Sequence, residues 1–95
     1  MKTSELSPSE LDYWVAKAEG YNSAKPMGNI WSPSTNWEYG GPLIHKYGLF
    51  LGVNVERTIW RAWTTDHSFS GYGETYLIAA MRCIISSVYG ETVDD

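Results

Sequence analysis

Apolar positions along the chain change period twice, and each change marks an element. Leu11, Trp14, Val15 and Ala18 recur at helical spacing, and Ser7-Pro8-Ser9-Glu10 in front of them has the form of a capping box with proline at the first helical position. Leu6 and Leu11 occupy the two staple positions around that cap, and Gly20 supplies a stop, so a helix is predicted over residues 8–19. Residues 20–34 lose the period; Asn22 to Asn29 has loop composition, and Ile30-Trp31 is either a short strand or an anchor for the loop. Thr35-Asn36-Trp37-Glu38 forms a second capping box, opening a short helical segment. Gly40-Gly41-Pro42 is expected to break it, with Pro42 able to restart a turn carrying Leu43, Ile44 and Tyr47.

From Leu49 the period becomes two. Leu49, Leu51, Val53 and Val55 alternate with Phe50, Gly52, Asn54 and Glu56, the pattern of a strand with one buried face. Thr58 to Thr65 is β-rich again, with Trp60 and Ala62 on one side and Ile59, Arg61 and Trp63 on the other. A turn at Asn54 to Arg57 makes the pair an antiparallel hairpin, and two partly apolar faces imply cover on both. Asp66 to Gly73 is predicted as loop. A last helix runs from Thr75 or Tyr76 to Tyr89, with Gly90 as its stop and Leu77, Met81, Ile84 and Val88 along one face. Its other side carries Ala79, Cys83 and Ser86, small enough for a neighbouring element or a second chain to approach closely; packing within one chain is the favoured reading, a homodimer through this helix the alternative. The acidic tail from Glu91 is expected to be loose. The whole, residues 1–95, reads as one α+β domain, a small antiparallel sheet or hairpin covered by N-terminal and C-terminal helices.

Composition sharpens this. Five Trp, seven Tyr and two Phe make 15% of the chain, while charged residues are only 19%. Aromatic side chains in that number either fill a small core or make a surface adhesive. The net charge of −4, with no run of Lys or Arg, argues against a general nucleic-acid coat, which has to neutralise phosphates. A single cysteine, Cys83, fits a reducing cytosol, and the longest apolar run, Leu77 to Met81, is far too short to span a bilayer. The chain is expected to be cytoplasmic.

Candidate chemistry is sparse. His45 and His67 have no metal-ligand spacing with Cys83, so no metal, cofactor or catalytic residue is assigned, and an enzyme is not expected. Two groups qualify as binding candidates. The first is Trp31, Ser32, Ser34, Thr35 and Trp37, where hydroxyls meet a helix start; the bland alternative is a turn shaped by Pro33. The second is Arg57, Trp60, Arg61 and Trp63, a cation–aromatic set whose bland alternative is Arg stems packed over Trp in a covered sheet. Arg82 flanks the last helix and is a third binding candidate: it either points into a cleft or, the favoured reading, pairs with Glu74, Glu38 or Asp12 as a structural salt bridge.

Blocks of residues along most of the chain carry a resemblance. They are Lys2-Thr3-Ser4-Glu5-Leu6, Leu11 to Gly20, Ser32-Pro33-Ser34-Thr35-Asn36-Trp37, Gly40-Gly41-Pro42-Leu43-Ile44, Trp60 with Ala62, and Gly73-Glu74-Thr75-Tyr76-Leu77-Ile78-Ala79-Ala80-Met81-Arg82-Cys83. In these the chain resembles the NinX-like family of small proteins of lambdoid phages and prophages; Tyr76 departs from it, standing where relatives are expected to have proline. It is also similar to a broader phage domain described as an α-β-α sandwich. The resemblance implies a phage or prophage accessory role in the host cytoplasm, dispensable for building the virion, and brings no reaction or cofactor. The expected partner is a host or phage protein. Nucleic acid, in phage recombination or replication, is the alternative.

Overall fold

The computed structural model describes residues 1–20 and 31–94. After a 3-10 turn at Thr3–Glu5, helix α1 spans Pro8–Ala18. Its start is the anticipated box: Ser7 N–H donates to Glu10 Oε1 at 2.9 Å, and Glu10 N–H donates back to Ser7 Oγ at 3.4 Å. Leu6 and Leu11 on either side of the cap are both buried. The loop read at Asn22 to Asn29, and Ile30 with it, lie outside the described residues.

Helix α2, Trp37–Tyr47, corrects two expectations. Asn36 rather than Thr35 caps it, its Oδ1 accepting from Glu38 N–H at 2.9 Å. And Gly40-Gly41-Pro42 does not break it: the helix runs through Pro42. The reason is tertiary. Leu43 is buried, and a Cβ at Gly40 would meet the Pro33 carbonyl oxygen at 2.4 Å and Leu77 Cδ2 at 2.6 Å, so this turn of helix is held against its neighbours through a glycine. Proline forfeits one backbone bond; the packing outweighs it.

Three strands follow: β1 (Phe50–Val53), β2 (Trp60–Trp63) and β3 (Ser70–Gly73), an antiparallel meander in that order. The first two are shorter than the alternating stretches that predict them, and β3 replaces the expected loop end. Its two glycines look like turn residues but do the opposite. A Cβ at Gly71 would sit 2.4 Å from the Ala79 carbonyl oxygen, so β3 rides on the backbone of helix α3 (Tyr76–Tyr89). The close approach allowed by Ala79 and Cys83 is therefore taken by β3 of the same chain.

Register assigns the faces. Leu51, Ala62 and Gly71 are paired across the sheet, as are Val53, Trp60 and Gly73; alternation puts them on one side, where Gly71 and Gly73 sit directly on α3. On the far side of α3 lie α1 and α2. The layers are thus sheet, α3, then the two remaining helices: an α+β fold in which α3 is the shared core element. Among the described residues, no helix packs on the other face of the sheet, so the cover expected on both sides is present on one. α1 and α2 are tied at their C-terminal ends, where Glu19 accepts from Lys46 Nζ at 2.8 Å and from the Tyr47 hydroxyl at 2.6 Å. Burial, then the Glu19 carboxylate, push the Tyr47 hydroxyl well above the usual tyrosine range.

The tail is not loose. Lys2 and Thr92 form a β-bridge, Thr3 N–H donates to the Glu91 carbonyl at 2.8 Å, and Val93 N–H donates to the Met1 carbonyl at 2.9 Å, with Val93 buried.

Candidate functional site

The two sequence-derived groups lie on different surfaces, except that Trp60 of the second joins the first. Ser34, Thr35, Trp37 and Trp60 line a cleft of about 600 Å³ between the start of α2 and the start of α3, where Tyr76 stands edge-on to Trp60 at 6.0 Å. Trp37 is 53% exposed there. Two of the polar residues of this cleft, Ser34 and Thr75, have internal duties. Ser34 Oγ donates to the Pro8 carbonyl at 3.1 Å, Ser34 N–H donates to Asp12 Oδ1 at 2.9 Å, and Thr75 Oγ1 accepts from Ile78 N–H at 3.1 Å as the cap of α3. Ser34 is fully buried and Trp31 is a core residue, so neither presents itself to a ligand. The Pro33 turn is a brace between α1 and α2.

Asp12 gives that brace a pH dependence. Partial burial holds its carboxyl above the usual aspartate value, against the lowering effect of the Ser34 bonds. An acid whose pKa rises on folding binds protons more tightly when folded. Asp12 therefore adds stability fully below its unfolded value, and the contribution is lost as pH rises through the raised folded value. Asp12→Asn keeps an oxygen acceptor for Ser34 and removes the titration. Urea unfolding of both proteins from about pH 7 to about pH 4 should show the wild type gaining on the variant towards acid.

Arg61 and Trp63 lie on the uncovered face of the sheet with Phe50, Gly52, Ser70 and Tyr72. A Cβ at Gly52 would come within 3.2 Å of the Trp63 ring, so the missing side chain lets the indole lie down across β1. Phe50 packs against Trp63 at 5.9 Å, and the His67 ring stacks on it at 6.4 Å and 16°. His67 reaches this position from the turn between β2 and β3 with a left-handed φ of 63°; Asp66 ties that turn, accepting from Thr64 Oγ1 and Ser68 N–H. These hydrogen bonds hold the Asp66 carboxyl below its usual range. Asp66 thus serves the turn, and His67 serves the aromatic stack.

The Arg61 guanidinium carbon is 4.8 Å from the Trp63 ring centroid and 5.8 Å from that of Tyr72. Phe50 and Tyr72 are 48% and 54% exposed, and a depression of about 320 Å³ lined by Ile59, Arg61, Trp63 and Tyr72 opens among them. At the hairpin tip Val55 is 95% exposed. Phe50 and Tyr72 were missed by sequence reasoning. Pairing Tyr72 with Arg61 would have found one of them, had Ser70–Gly73 been recognised as a strand.

Other candidates are placed elsewhere. Trp60 faces α3, opposite to Arg61. Arg57 is in the hairpin turn with φ 58° and is exposed. Among the described residues Arg82 has no carboxylate within ion-pair distance, though Glu74 is near enough to favour its charge; its Nη1 donates to the Tyr72 carbonyl at 2.7 Å and Nη2 to the Leu6 carbonyl at 3.0 Å, pinning β3 and the N-terminal turn to α3. Burial pushes the Cys83 thiol up to about 11, which keeps it protonated and inert at neutral pH. Among the described residues no group of three or more His, Cys, Asp or Glu is placed to hold a metal ion, and no helix is long and apolar enough to cross a membrane.

The family model described as Bacteriophage P22, NinX matches residues 21–87. The chain belongs to that family. The span matched to this NinX family takes in α2, the complete sheet and most of α3, and therefore both the cleft and the open face; α1 lies before it. No curated protein gives a significant match.

Proposed function

We propose that this NinX-family chain is a nonenzymatic phage or prophage accessory protein that acts in the host cytoplasm by docking a host or phage protein on the open face of its sheet. The observation that carries this reading is the uncovered group of Phe50, Trp63, Tyr72 and Arg61. Trp, Tyr and Arg dominate the energetics of protein interfaces, and a small domain rarely leaves a contiguous aromatic surface to water without use for it. Aromatic rings beside a cation also suit stacking of nucleobases, which supports nucleic acid as the second reading.

A tagged protein, mixed with nuclease-treated host lysate, tests both. The expected result is a stoichiometric protein partner retained by the wild type and by Trp37→Ala, and lost by the double variant Trp63→Ala, Tyr72→Ala. Loss of the partner in Trp37→Ala with retention in the double variant would move the site to the cleft. Disappearance of every partner on nuclease treatment would sink the protein reading and favour nucleic acid.

A further inference from the structure

We infer that Arg61 recognises a carboxylate, and that the occupant of the open face is an acidic segment of a protein, an Asp or Glu flanked by apolar residues. This rests on the docking reading above and names the chemistry of its partner.

The argument begins from the state of Arg61. Its side chain is half-buried, and Nε is shut off from solvent with no hydrogen-bond acceptor. Among the described residues no carboxylate lies within ion-pair distance of it; the close pair found there is Lys46 with Glu19, on another surface. A buried polar nitrogen left without an acceptor is seldom kept in native structures without a reason, and the two terminal nitrogens beside it make no bond to the described residues and stay open to solvent or a ligand. The two flanking rings hold its position but accept no N–H bond in the plane of the fork. Arg82, the other arginine with a buried, unpartnered Nε, is different: its two terminal nitrogens are both occupied by carbonyls. Arg61 has no such occupation.

Charge then selects the ligand. Of the residues that β1, β2 and β3 present on this face, Arg61 alone is formally charged, so the complement is a single anion set among apolar groups. The depression beside it has Ile59 and the Trp63 and Tyr72 rings as walls, suited to the aliphatic or aromatic neighbours of that anion. A phosphate of single-stranded nucleic acid has the right charge but the wrong multiplicity. One cation neutralising one phosphate gives a salt slope of only about −0.7 and little affinity, and the chain's net charge of −4 repels a polyanion at long range. A protein segment carrying one or two carboxylates meets far less of that repulsion. Planar, bidentate pairing with a carboxylate is what the arginine fork provides and a lysine would not.

The test uses a capped tetrapeptide, Glu-Leu-Glu-Phe, its Gln-Leu-Gln-Phe counterpart and a short oligothymidylate, each titrated into the full chain while the Arg61 Nε–H and Trp63 indole N–H resonances are followed. The glutamate peptide should shift both resonances saturably, and bind at least about tenfold more tightly than the glutamine peptide or the oligothymidylate. Arg61→Met, which keeps a stem between the rings, should erase that preference; Arg61→Lys should recover only part of it. Failure of the glutamate peptide to bind, equal binding of the two peptides, tighter binding of oligothymidylate, or an unchanged preference in Arg61→Met would each overturn the inference. Lysate capture separates it from the broader reading. If Arg61→Met holds the same partner as wild type while the Trp63→Ala, Tyr72→Ala variant loses it, carboxylate recognition is wrong and docking on the face stands. If that double variant also holds the partner, both are wrong.

Discussion

Gly71→Ala is expected to lose about 3 kcal/mol or more of stability, the upper end of what overpacking does. The new methyl would lie 2.4 Å from the Ala79 carbonyl oxygen, 2.5 Å from the Cys83 nitrogen and 2.9 Å from Arg82 Cβ. None of these is the free end of a flexible side chain. Two belong to the backbone of α3, whose other side is packed against α1 and α2, so the helix cannot retreat. The strand must then move, and moving it breaks the contact between β3 and α3 that closes the core. A domain of this size has roughly 5–10 kcal/mol to lose, so the urea midpoint should fall steeply and part of the protein should be unfolded at 37 °C. Gly52→Ala is the control. It faces the open side and meets only the Trp63 ring at 3.2 Å, which can shift, so its cost should stay below about 1 kcal/mol. Equal losses in the two variants would contradict the assignment of faces.

Trp14→Ala should cost about 3–5 kcal/mol, the range for removing a large buried aromatic. Trp14 is 7% exposed and lies where α1 meets α3. Tyr13 and Tyr89 stand edge-on to it, each at 5.3 Å, and Lys17 Nζ lies 4.6 Å from its ring centroid. Its loss leaves a cavity with walls on two helices that cannot close independently. Trp37→Ala removes the same side chain from an exposed position and should change stability by no more than about 0.5 kcal/mol. Chemical unfolding of the two variants side by side tests whether the tryptophans divide into core and surface as placed here.

How much of this could be read from the chain depends on whether the signal is local. α1 was legible to within a residue or two because cap, staple and apolar spacing all lie within Leu6 to Gly20 and agree with one another. α2 was not, because Gly40, Gly41 and Pro42 are local breakers whose placement is decided by Pro33 and Leu77, neighbours that spacing does not reveal. The glycines of β3 misled for the same reason: their lack of a side chain serves a helix, not a turn. At the candidate site, alternation correctly set Arg61 and Trp63 apart from Trp60 and Ala62. That, among the described residues, no helix covers one face of the sheet depends on where α1 and α2 pack, which no pattern within the strands records. The acceptors of Arg82 were not legible because one of them, the Leu6 carbonyl, is 76 positions away.

The bridge between Lys2 and Thr92 also has a kinetic meaning. The ammonium group of Met1 donates to the Val93 carbonyl across 92 positions of chain, and closing a loop of that length from a free coil costs on the order of 4 kcal/mol in entropy. A few hydrogen bonds at the surface do not offset that. Once β3 has settled on α3 and α1 on its far side, the two ends are already neighbours and nearly all of that entropy has been spent. The clasp is therefore a late event in folding and an early one in unfolding, and the amides of Thr3 and Val93 should exchange with solvent sooner than those of α3.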